Sequence, residues 1–109
     1  MTAEFKLSLP MLTLDTAGTK GKAVLDRAKA QVGFIPNMYA GMVNSPGLLE
    51  TYLDGYERFR KASGLTPAEQ EVVFLVVSRG NDCDYCVAAH SMIADKMSGV
   101  PVEVTDAIR

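Results

Sequence analysis

Apolar residues recur along most of this chain at the spacing of amphipathic helices. Residues 1–14 are the exception: they alternate loosely, contain Pro10 and read as an extended arm. Val24, Ala28 and Val32, four apart, predict a first helix over about 20–32 that Gly33 ends. The compact segment Gly33-Phe34-Ile35-Pro36-Asn37 interrupts the pattern before a short helical stretch near 38–43. Ser45 as N-cap and Pro46 at the first helical position open the next helix, which Gly64 closes. Leu48, Tyr52, Tyr56 and Phe59 form its apolar stripe. Asp54 with Arg58, and Glu57 with Lys61, place opposite charges four apart on its wet side.

Thr66-Pro67-Ala68-Glu69 is a capping box with proline at the first helical position. It predicts a helix over 67–79 with Gly80 as its stop. The middle, Val72-Val73-Phe74-Leu75-Val76-Val77, is β-prone, but the start and stop signals enclose a helical length. A helix apolar on all sides belongs at the centre of a bundle. Asn81 and Asp82 supply the cap for a helix from 83 to about 97, which Gly99 stops. A last short helix opens at Pro101, and its Val102, Val104 and Ile108 have nothing after them to pack against. The expected fold is all-α, a single domain over 1–109 with a helical hairpin at 66–99. The chain reads as a truncated or cleaved piece lacking C-terminal helices, or as one completed by neighbouring subunits.

Composition narrows the class. The 109 residues are 48% hydrophobic and 22% charged, with a net charge of −2, which excludes a disordered chain. No basic stripe exists to neutralise phosphates, so nucleic acid is not an expected partner. The longest apolar run, Val72 to Val77, is too short to cross a bilayer, and no secretory leader is visible. No membrane is implied, and a cytoplasmic protein is expected.

The two cysteines share one tetrapeptide, Cys83-Asp84-Tyr85-Cys86. A disulfide closing so small a loop stabilises by only roughly 2 kcal/mol, so a structural staple is a poor use for it. A metal site or a redox pair remains. Helical spacing puts Cys83, Cys86, His90, Ile93 and Met97 on one face, with Asp84, Ser91 and Asp95 on the opposite, solvated one. Folding the hairpin about residue 81 brings Glu71 level with His90, the only histidine. A thiolate at a helix N-terminus is favoured by free N–H groups, an imidazole can take its proton, and a carboxylate can hold the imidazole. Zinc competes, but no second chelating pair exists. Haem attachment needs His directly after the second Cys. A thioredoxin-like chain would alternate strands and helices, which this one does not.

Glu71, eleven intervening residues, Cys83, two residues, Cys86, three residues and His90 resemble the motif of alkylhydroperoxidase D-like proteins in the carboxymuconolactone decarboxylase superfamily. The Gly33 to Asn37 segment and the helix from Pro46 resemble its peroxidase-related branch, so the likeness covers about residues 30–109. It implies a homo-oligomer, trimer or hexamer, and thiol-dependent reduction of hydroperoxides with no haem, metal or other cofactor. Cys86 would attack the peroxide, Cys83 would resolve it, and Glu71 and His90 would relay the proton. A lipoyl or thioredoxin-like protein would supply electrons. Tyr85 stands where such hydroperoxidases often carry a second histidine, and a phenol is not a base near neutrality. The decarboxylase-like lyases of the superfamily need a base and an anion pocket rather than a thiol pair. A non-enzymatic redox-sensing module would oxidise once instead of turning over.

Overall fold

The computed structural model describes residues 8–109, and they contain six helices and no strand. The fold is all-α. They are α1 (Gly18–Val32), α2 (Asn37–Met42), α3 (Pro46–Ala62), α4 (Pro67–Gly80), α5 (Asp84–Lys96) and α6 (Val102–Ile108). Of the expected N-terminal arm, residues 1–7 lie outside the described residues. Residues 8–13 carry no regular structure, and Leu12 donates its N–H to the Ala40 carbonyl at 3.0 Å.

The chain forms two compact units, divided between Glu57 and Arg58 near the end of α3. In the first, Val24, Leu25 and Ala28 of α1 pack with Tyr39, Val43, Leu49 and Leu53. α1 starts two residues before the expected 20, and Gly33 ends it in the left-handed conformation that glycine adopts without strain. Val32 is exposed, because the packed face runs through Leu25 and stops at Ala28. On α3 the buried line is Leu49 and Leu53, one position along from the expected stripe, and Leu48 faces outward. Tyr52 and Tyr56 flank that line half-buried, their rings stacked at 5.9 Å. Asp54 pairs with Arg27 at 2.7 Å, and Glu57 with the same guanidinium at 3.2 Å.

In the second unit, α4, α5 and α6 pack around Leu75, Ala94 and Val100. The capping box forms in full: Glu69 N–H donates to Thr66 Oγ1 at 3.2 Å, and Thr66 N–H to Glu69 Oε1 at 2.9 Å. It holds the β-prone run as helix. Gly80 is not the stop. It stays helical, and the left-handed residue is Asp82, with φ 53°, a conformation that a short polar side chain tolerates. α4 is not buried all round either. α5 and α6 cover the Leu75 side, while Val73, Val76 and Val77 remain exposed. α6 does find packing, since Ile108 lies against the Leu75 cluster and Thr105 is fully buried. Ser91 is buried, and Asp95 accepts from Arg109 at 3.3 Å, where the sequence predicted a solvated face. Met97, assigned to the inner face, is exposed.

Candidate functional site

The α4–α5 turn carries the cysteines. Cys83 N–H donates to the Ser78 carbonyl at 3.0 Å, and Cys83 itself, not Asn81 or Asp82, is the N-cap of α5. Its Sγ accepts the Cys86 N–H at 3.3 Å, one of the donors that a helix start leaves unpaired. Cys83 and Cys86 are joined as a disulfide, with Cα atoms 5.3 Å apart. The helix start thus distinguishes the two sulfurs: Cys83 receives the N–H that would stabilise a thiolate there. Both cysteines are half-buried, and Tyr85 between them is exposed.

The hairpin brings Glu71 and His90 together as the register predicted. His90 Nδ1 lies 2.7 Å from Glu71 Oε1, and Glu71 has no exposed surface. His90 sits one helical turn beyond Cys86 on α5. Its ring stacks on Phe74 of α4, centroids 4.5 Å apart and planes within 13°. This packing fixes the ring plane, and the carboxylate fixes its rotation.

A third group completes the site. Arg60, from the last turn of α3, donates through Nη1 to Glu71 Oε2 and to Gln70 Oε1, the latter at 3.0 Å. Its guanidinium lies over the Phe74 ring, 4.8 Å from the centroid. Gln70, nearly fully buried, uses its amide to bind the Arg60 and Leu65 carbonyls at 3.1 and 2.9 Å. Burial pushes the Glu71 carboxyl up, but the hydrogen bonds from His90 and Arg60, with the Arg60 charge, hold it below the usual carboxylate range. An ionised carboxylate only accepts, so Nδ1 of His90 is the donor in this bond.

Sequence reasoning missed Arg60, Gln70 and Phe74. One signal existed: Arg60 follows Tyr52 and Tyr56 at helical spacing, placing a charge at the edge of an apolar stripe. Among the described residues no three His, Cys, Asp or Glu side chains form a group that could hold a metal ion. No helix among them is long and apolar enough to cross a membrane.

Fold and disulfide together define an all-helical CxxC protein. The chain belongs to the carboxymuconolactone decarboxylase family, whose sequence profile matches residues 46–109, more than half of its length. That match spans α3 to α6 and thus every residue of the site. Comparison with curated proteins finds no match, and comparison with solved structures finds none.

Proposed function

We propose that this protein is a thiol-dependent peroxidase that reduces hydroperoxides through a Cys83–Cys86 dithiol/disulfide cycle. The observation that carries the reading is the Glu71–His90 hydrogen bond, buried in a hairpin whose second helix starts at the disulfide. In the reduced protein, the imidazole takes the Cys86 thiol proton at Nε2, and Glu71 steadies the imidazolium that results. The thiolate attacks one peroxide oxygen, the O–O bond breaks, and the departing alkoxide takes the proton to leave as an alcohol. Cys86 is now a sulfenic acid. The Cys83 thiol then attacks the Cys86 sulfur, and the hydroxyl leaves as water with the Cys83 proton. A dithiol donor of the lipoyl or thioredoxin-like class reopens the disulfide by exchange and is itself oxidised. Cys83, stabilised by the Cys86 N–H, is the better leaving thiolate in that step. Self-association, which the family resemblance implies, would cover Val73, Val76 and Val77.

The test is direct. Reduced protein is given one equivalent of a small organic hydroperoxide, and the peptide carrying both cysteines is weighed by mass spectrometry. Loss of two hydrogens with formation of the alcohol is expected, and unchanged free thiols defeat the reading. Repeated turnover with a dithiol donor separates an enzyme from a sensor that oxidises once. Release of carbon dioxide from a lactone acid by the Cys83→Ser/Cys86→Ser protein would move the assignment to the lyases.

A further inference from the structure

A carboxylate with no exposed surface requires a partner for each oxygen, because an unpaired buried charge is strongly disfavoured. Glu71 has both: His90 on Oε1 and Arg60 on Oε2. The motif that suggested the site contains only the first. Arg60 comes from another helix, eleven residues before Glu71, and its placement is over-determined. Gln70 accepts from its Nη1 while binding the Arg60 carbonyl, and the Phe74 ring lies beneath the guanidinium. The same ring stacks on the imidazole, so one aromatic side chain packs against both partners of the carboxylate.

We infer that Arg60 is a positioning residue for the proton relay: it ties down the second oxygen of Glu71 and thereby fixes the tautomer in which His90 presents Nε2 as the base. This inference rests on the relay proposed above. Without Arg60, a buried carboxyl facing only an imidazole is free to take a proton. A protonated carboxyl can donate as well as accept, and the imidazole is then no longer obliged to carry its proton on Nδ1. With Arg60 present, the guanidinium and carboxylate charges cancel, and Glu71 stays an acceptor that holds the His90 proton on Nδ1. The charged and titratable groups bonded to Glu71 are Arg60 from α3 and His90 from α5. Its own helix adds the uncharged Gln70, and the acidic side chains of α6, Glu103 and Asp106, are exposed. A guanidinium is needed because it stacks on Phe74 and remains charged at every working pH.

The experiment uses the single histidine as its reporter. Nitrogen-15 NMR of the whole protein is expected to show a protonated Nδ1 and a bare Nε2, and Arg60→Gln to give mixed tautomers. Carbon-13 NMR should find the Glu71 carboxyl titrating about one pH unit or more higher in that variant. The acid limb of the hydroperoxide reaction moves up with it, and Arg60→Lys restores part of both shifts. An unchanged tautomer and an unchanged Glu71 titration in Arg60→Gln overturn the inference. Should that variant fail to fold by circular dichroism, Arg60→Met keeps the stem over Phe74 and takes its place. If both unfold, Arg60 is structural and the inference falls. A parent protein that leaves hydroperoxide untouched would sink the redox reading, while the two NMR readouts still judge Arg60.

Discussion

Glu71 and His90, nineteen residues apart in the chain, meet at 2.7 Å in the interior of the α4–α5 hairpin. Replacing Glu71 by Gln keeps the size and an acceptor oxygen but removes the charge that steadies an imidazolium. Stopped-flow measurement of thiol loss with hydroperoxide should find Glu71→Gln slower by about a hundredfold. A normal rate would make Glu71 a structural carboxylate.

The two cysteines should be separable by trapping. A sulfenic acid persists only when its resolving partner is absent, so Cys83→Ser treated with hydroperoxide should accumulate one at Cys86. A dimedone adduct on that peptide is the expected product. An adduct found instead at Cys83 in Cys86→Ser, with none in the first variant, would reverse the roles.

Acid should weaken the fold through Glu71. Its folded carboxyl lies below the ordinary value of 4.5, so the unfolded chain binds the proton first as pH falls. The stabilisation is therefore fully present above about pH 4.5 and is lost as pH drops through the lower, folded value. Urea titrations from pH 7 to pH 3 should show this slope and find it reduced in Glu71→Gln. That variant should also be about 1–3 kcal/mol less stable at pH 7, since Arg60 loses its counter-charge.

Leu75 supports the site from below, fully buried one turn after Glu71 and packed with Ala94 and Val100. Leu75→Ala should cost about 2–5 kcal/mol. Chemical denaturation gives the number, and a loss below about 1 kcal/mol would mean that α5 and α6 close over the gap.

What was legible in the sequence was local. Thr66 and Glu69 sit three apart, so the capping box and the start of α4 could be read directly, and the box outweighed the β-propensity of Val72 to Val77. The helical period put Cys86 and His90 one turn apart, and hairpin register then brought Glu71 to His90. The spacing also carried the family, whose profile matches residues 46–109. Tertiary structure decided the rest. Ser91 turned out buried, and Asp95 met Arg109 from beyond α6, a partner that no periodicity within α5 contains. The left-handed turn fell to Asp82 and not Gly80, because closing the bond from Cys83 N–H to Ser78 set the conformation. Arg60 reached Glu71 from a different helix, and only packing supplies that register. Periodicity reports which side of one helix is apolar; which neighbour covers it, and which charge waits there, is fixed by the assembled chain.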